Sequence, residues 1–159
     1  MTYLVEPAVT EDLVAIEALL PRLAHFEVPA HRQPEDLWHG DRELVRSWSH
    51  GARADVRVRV VRGDGGLLGV CVVSEKPELL THAPSAHLEI LAVAESAEGR
   101  GVARALLLAA QTEAFEAGAT MMSLHVFANN ERARRVYEQA GFEGELLRYV
   151  KPLKGAIKP

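Results

Sequence analysis

The sequence predicts an α/β (α+β) fold in which strands and interspersed helices build one sheet. Three stretches carry that prediction. DVRVRVVRGDGGLLGVCVV, residues 55–73, holds two apolar runs joined by GDGG, the pattern of a β-hairpin. HLEILAVAESAEGRGVARALL, residues 87–107, passes from a strand through a glycine pair into a helical pattern. ATMMSLHVFANNERARRVYEQAGF, residues 119–142, runs from strand to helix again.

Taken in order, residues 3 to 9 form a first strand. Thr10 can cap the following helix, with Glu11 and Asp12 in a first turn where acids suit the helix dipole. Leu13, Ile16, Leu19, Leu20 and Leu23 give that helix its apolar stripe, and Pro21 ends or kinks it. Pro34 to Ser49 can hold a second helix with Leu37, Trp38, Leu44, Val45 and Trp48 inward. In the hairpin, Val56, Val58 and Val60 alternate with Arg57 and Arg59, and the arginines read as a solvated strand face rather than a ligand site. Leu67 to Ser74 is the returning arm. EKPELLTHAPSA reads as a proline-containing loop before the strand from His87 to Val93. A helix from about Gly101 to Ala117 stops at Gly118. Thr120 to Phe127 is a strand. Asn129 or Asn130 caps a helix whose Ala133, Val136, Tyr137 and Ala140 share a face, and Gly141 ends it. A final strand is expected near Glu145 to Val150, and the chain from about residue 152 reads as a loose tail.

The 159 residues suit a single domain spanning 1–159. At 48% apolar and 25% charged the chain can bury a real core. A net charge of −4 argues against a general nucleic-acid binder and suits a cationic partner such as an amine. No apolar run approaches the length of a membrane span, so no membrane partner is expected. The first residues, MTYLVEPAVTEDL, lack the basic and apolar regions of a signal peptide, and the expectation is a cytoplasmic protein. Cys71, the one cysteine, lies inside LLGVCVV and reads as a buried small hydrophobe.

A strand feeding GRG and then a helix has a physical use. The first amides of a helix lack intrahelical acceptors, and the macrodipole makes that end positive. Glycine lets a phosphate approach the backbone closely, and Arg100 and Arg104 add cationic reach. The loop suits a diphosphate. It lacks the GK[ST] end of a P-loop and the third glycine of a dinucleotide fingerprint.

LAVAESAEGRGVARALL, followed by NNERARRVYEQAGFE, resembles the GNAT superfamily of Gcn5-related N-acetyltransferases. Its members carry [QR]-x-x-G-x-[GA] after a strand ending in L-A-V, then N-x-x-A-x-x-x-Y-E-x-x-G-F on the next helix. Gly101, Val102 and Ala103 fill the first pattern. Asn130, Ala133, Tyr137, Glu138, Gly141 and Phe142 fill the second. The resemblance covers residues 87 to 145 in detail. It implies a mixed central sheet of about six to seven strands, splayed at its centre, with about four helices. It also implies acetyl-CoA as co-substrate without a metal. The pantetheine arm would lie along Leu91, Ala92 and Val93, and the pyrophosphate on Gly99, Arg100, Gly101, Val102, Ala103 and Arg104. Asn130 and Ala133 would complete the cofactor wall. The implied activity is direct transfer of acetyl to a primary amine of a small molecule or peptide, with Tyr137 protonating the leaving thiolate. A homodimer is left open.

Such an amine arrives mostly protonated, since lysine titrates near pH 10.4, so a base must take its proton. Strand residues two apart share a face, which puts His87 and Glu89 on one side with Leu91 and Val93. HLEILAV is similar to arylalkylamine N-acetyltransferases at these two positions and to histone acetyltransferases at the first. His125, in SLHV, matches the base position of the ribosomal-protein alanine acetyltransferases. The base candidates are Glu89, His87 and His125, in that order. One departure stands out: Glu98 sits where the family usually has Gln or Arg, and a carboxylate there should repel a pyrophosphate unless it points away. It keeps open an alternative, a catalytically weak acyl-CoA-binding sensor. A nucleotide-phosphate binder of another class is a third reading, opposed by the missing GK[ST]. Acceptor choice is expected in the variable parts, Glu27 to Ser49, Glu75 to Ser85 and the hairpin before the last strand, which hold Trp38, Trp48, His82 and several acids.

Overall fold

The structure, a computed structural model, describes residues 2–153. Five strands form one sheet in chain order: β1 (Val5–Pro7), β2 (Val56–Gly63), β3 (Gly66–Pro77), β4 (Pro84–Val93) and β5 (Met122–Leu124). The first four pair antiparallel, and β5 joins β4 in parallel. Four α-helices accompany them: α1 (Leu13–Leu19), α2 (His39–Ser49), α3 (Val102–Glu116) and α4 (Glu131–Gln139).

The alternation read in the hairpin distributes these helices over two faces. On one face Ile16, Leu19, Leu20 and Val45 pack on Val56, Val58, Val60, Val70, Val72, Ile90 and Ala92. On the other, Val102, Leu106, Leu107 and Ala110 of α3 pack on Val61, Cys71, Val73, Ala86 and Leu88. Arg57 and Arg59 lie on this second face. They are not simply solvated: Arg57 pairs with Glu75 at 2.7 Å, and Arg59 pairs with Glu113 of α3.

Pro21 stops α1 as expected, and the chain continues as a 3-10 turn over Leu20–Ala24. Thr10 does not cap the first helix. Asp12 does the local work, accepting from the Val9 amide at 2.8 Å, and it also receives both terminal nitrogens of Arg62 at 2.7 and 2.8 Å. The Arg62 hydrogen bonds hold this buried carboxyl below the usual range. A depressed native pKa means the stabilisation is fully present above the unfolded-state value near 3.9 and is lost as pH falls through the lower native one. Asp12→Ala is therefore expected to cost about 2 kcal/mol at pH 7. Urea unfolding should show the gap to wild type narrowing as pH falls below about 4; a gap independent of pH would mean that packing, not charge, is what Asp12 supplies.

Two parts of the sheet differ from expectation. The loop expected over residues 75–86 is shorter, because β3 and β4 extend to pair Pro77 with Pro84. The Glu78 carboxylate accepts from the Leu80 and Thr81 amides at 2.9 and 2.6 Å, closing a tight connection. The final strand near Glu145 to Val150 is not formed, so the described residues give five strands instead of six to seven. A strand needs a hydrogen-bonding partner, and β5 is only three residues long. Leu146, Leu147 and Tyr149 are left exposed. Of the tail expected from about residue 152, residues 154–159 lie outside the described chain.

The register of β4 holds the feature that shapes the site. Val73 pairs with Leu88 but Val72 pairs with Ile90, so Glu89 is an extra residue in a bulge. The bulge exchanges the faces of everything after it. Ala86 and Leu88 point to the α3 side, yet Ile90 and Ala92 point to the α1–α2 side. Leu91 and Val93 consequently share the α3 side with Leu88. His87 and Glu89 do lie together, but not with Leu91 and Val93 as simple alternation implied.

Candidate active site

β5 pairs with β4 only from Ala86 to Leu88. Beyond Leu88 the two parallel strands part, and the expected strand over Thr120 to Phe127 is cut to Met122–Leu124. The opening leads into a cavity of about 940 Å³. Its walls include Leu91, Ala92 and Val93 of β4, the turn and first residues of α3, and Asn130, Ala133 and Tyr137 of α4.

The turn is built as its sequence requires. Gly99 and Gly101 have φ of +69° and +87°, left-handed values that other residues rarely adopt. Gly101 is the N-cap of α3, so the free amides at that helix start lie beside the cavity with Gly99, Val102, Ala103 and Arg104. Arg100 does not line it; its side chain turns back and donates to the Ser96 carbonyl at 3.4 Å. Asn130 caps α4 by accepting from the Ala133 amide at 3.2 Å.

Tyr137 faces the cavity from α4, its ring edge-on to Phe142 with centroids 6.1 Å apart. Burial, and then the neighbouring Cys71, push its phenol up to about 12, so it remains protonated at any working pH. Cys71 is itself buried and its thiol is raised to about 12, which leaves it without nucleophilic thiolate.

The base candidates separate clearly. Glu89 lines the cavity, but it accepts from Ser74 and Lys76, each at 2.6 Å. Burial alone would raise its carboxyl; those two donors outweigh burial and hold it below the usual range. His87 is buried behind the wall, with Nδ1 2.8 Å from the Ser123 hydroxyl. Its ring stands 4.8 Å from that of His125, which does line the cavity. Burial keeps His87 below its ordinary value, against the pull of Glu89, so it is neutral at pH 7.

Sequence reading missed Asp41 and two arginines. Asp41, on α2, lines the same cavity, and burial followed by repulsion from Glu89 raises its carboxyl to about 7. No local motif marks it, since its role depends on α2 meeting the β4 bulge across the sheet. Arg22 and Arg132 also line the cavity, and both pair with Glu98. The segment after α1 crosses to the α4 side here: the Phe26 and Phe127 rings lie 5.4 Å apart, and Asn129 donates to the Glu27 carbonyl at 2.6 Å. Among the described residues no group of His, Cys, Asp and Glu is arranged to hold a metal ion.

Comparison with solved structures places this architecture. A provisionally assigned acetyl transferase of Pyrococcus furiosus superimposes with a TM-score of 0.75 at 23% identity, covering 95% of this chain and 99% of that one. A ribosomal-protein-alanine N-acetyltransferase from Brucella melitensis biovar Abortus 2308 gives 0.67 at 21% identity, over 94% and 99% of the two chains. At such identities the likeness concerns the fold. A model of the acetyltransferase (GNAT) family matches residues 20–142, and the chain belongs to that family. In sequence it is 45% identical over 49 residues to the uncharacterized N-acetyltransferase YycN of Bacillus subtilis, a match that spans 31% of each protein. The splayed sheet, the glycine turn and the four helices are thus the GNAT fold, with a shorter sheet among the described residues than the resemblance implied.

Proposed function

We propose that this acetyltransferase moves an acetyl group from acetyl-CoA to a primary amine by direct attack in a ternary complex. The observation that carries the reading is the single cavity wall on which the turn at residues 99–104, the free edge of β4 and the phenol of Tyr137 meet.

Acetyl-CoA supplies an activated thioester. The α3 amides and Arg104 fit its diphosphate, because that helix start is positive and left-handed glycines expose the backbone. The edge of β4 that β5 leaves open beyond Leu88 can hydrogen-bond the amide groups of the pantetheine arm, alongside the Val93 carbonyl that already accepts from Arg22. On the other side, Asp41 and Glu89 attract the cationic amine, and its proton must leave before nitrogen attacks the carbonyl carbon. Asp41 is suited to take it, titrating near working pH and, among the described residues, forming no ion pair with a cation. His125, backed by neutral His87, offers a second route. Glu89, held by Lys76 and Ser74, orients the amine more than it accepts the proton. As the carbon–sulfur bond breaks, Tyr137 protonates the departing sulfur, and the second proton that nitrogen loses in becoming the amide restores the phenol. The products are the amide and the free thiol.

Thermal unfolding with acetyl-CoA, ATP and NAD in separate samples tests the cofactor. A ligand at 100 times its Kd adds about 2.7 kcal/mol, several degrees in Tm for a domain of this size. The expected outcome is a selective shift with acetyl-CoA. Equal shifts or none would remove the acetyl-CoA reading. Thiol release across a panel of amines then identifies the acceptor; binding without release from any amine would instead indicate an acyl-CoA sensor.

A further inference from the structure

Glu98 looks out of place in the sequence, because it puts a carboxylate beside a turn built for a diphosphate. The structure shows what it is doing. One of its oxygens, Oε1, accepts from Arg22, which comes from the 3-10 turn after α1, and from Nη1 of Arg132 on α4 at 2.8 Å. Arg22 is fixed a second time, its Nε donating to the Val93 carbonyl at 3.2 Å. Two arginines distant in sequence thus converge on one carboxylate, in the residue just before Gly99.

The charges decide what this cluster can bind. One carboxylate against two guanidiniums leaves a surplus positive charge, and Arg104 lines the same wall. An unpaired Glu98 would repel an anion; a Glu98 tied to two cations does not. Guanidinium forks are the preferred partners of phosphate oxygens, and their value depends on being held in place. Arg132 on its own would be a mobile surface group, with its side chain 58% exposed; the Glu98 contact restrains it at the cavity. Arg22 is 18% exposed and already rigid.

We infer that Arg22 and Arg132 are contacts for the diphosphate of the acetyl-CoA molecule, and that Glu98 is the positioning residue that gathers them there. This rests on the acetyl-CoA reading. It also explains how the chain keeps a diphosphate site without the Gln or Arg usual at that position: cationic side chains arrive from two other elements, and the carboxylate organises them.

The test compares CoA with acetyl-pantetheine, which has the arm and thioester but no phosphate. Kd for CoA is measured by calorimetry, and the Tm shift is measured at about 10 mM acetyl-pantetheine, a concentration far above a typical cofactor Kd. Arg22→Ala and Arg132→Ala are each expected to weaken CoA about tenfold, the size of one charge-assisted contact. The acetyl-pantetheine shift should stay as in wild type, and lysine at either position should recover part of the loss. Glu98→Gln is expected to weaken CoA about threefold, a smaller loss because both arginines remain. Arginine variants that bind CoA as wild type does, or that lose CoA and acetyl-pantetheine alike, would overturn the phosphate contacts. Tighter CoA binding by Glu98→Gln would overturn the positioning role and show simple repulsion. If wild type itself fails to bind CoA, the acetyl-CoA reading falls; if it binds and the variants match it, only this inference does.

Discussion

Tyr137→Phe is expected to lower kcat about a hundredfold while leaving the Kd for acetyl-CoA unchanged. The phenol is a proton donor on the α4 wall of the cavity, and burial, followed by the neighbouring Cys71, pushes it up to about 12. A general acid contributes roughly 10²- to 10⁴-fold, and the low end applies here because a thiolate is a good leaving group. Phenylalanine keeps the edge-on contact with Phe142, so stability and cofactor binding should be preserved. Thiol release with saturating acetyl-CoA and amine reads the effect. A kcat within threefold of wild type would make Tyr137 a core residue that happens to border the cavity.

The pH profile of the same assay distinguishes the bases. A base works deprotonated, so kcat/KM should rise with pH through the pKa of the group that takes the amine's proton. If Asp41 takes it, the rise is centred near pH 7 and disappears in Asp41→Asn. If His87 takes it, the rise lies below the ordinary histidine range and survives that substitution. Glu89, below the usual carboxylate range, would leave kcat/KM flat across the neutral region.

These distinctions mark where the sequence stopped being informative. Elements signalled by local chemistry came through. GDGG closes the β2–β3 hairpin, with Gly63 opposite Gly66. Asn130 caps α4, and Gly118 and Gly141 sit beyond the ends of α3 and α4 with φ of +93° and +94°. The glycine turn and Tyr137, which line the cavity, could be picked out for the same reason, since their residues are contiguous or regularly spaced. Features set by pairing between distant segments did not. The bulge at Glu89 is a property of β4 against β3, and period-2 reasoning along β4 alone cannot place it. β5 ends at Leu124 because β4 diverges, not because its own residues change character. Asp41, Arg22 and Arg132 reach the cavity from three elements, and only the assembled sheet brings them to Glu89 and Glu98.

Gly69 shows the same limit with the largest expected effect on stability. In the sequence it is one more residue of an apolar run. In the structure it sits on β3 opposite Val93, beneath the first turn of α3. A Cβ built there would come within 2.8 Å of Val102 Cγ1, 2.9 Å of Leu106 Cδ1 and 3.3 Å of the Ala92 carbonyl. Val102 and Leu106 are 1% and 0% exposed, so neither can swing into solvent. The missing side chain is what lets α3 lie close on the sheet and fixes where its N-terminal amides point. Gly69→Val should therefore destabilise the fold by about 3 kcal/mol, the upper end for overpacking a core. It should also weaken acetyl-CoA, because relief of the clash lifts the start of α3 and carries Gly101 and Ala103 away from the cofactor wall. Gly69→Ala should show both effects at smaller size. Urea unfolding and calorimetry measure the two losses independently. A Gly69→Val protein that lost stability but bound acetyl-CoA normally would mean that the core relaxes around Leu106 and that the cofactor turn is held from elsewhere. Loss of both would show that the close approach at Gly69 serves packing and binding together.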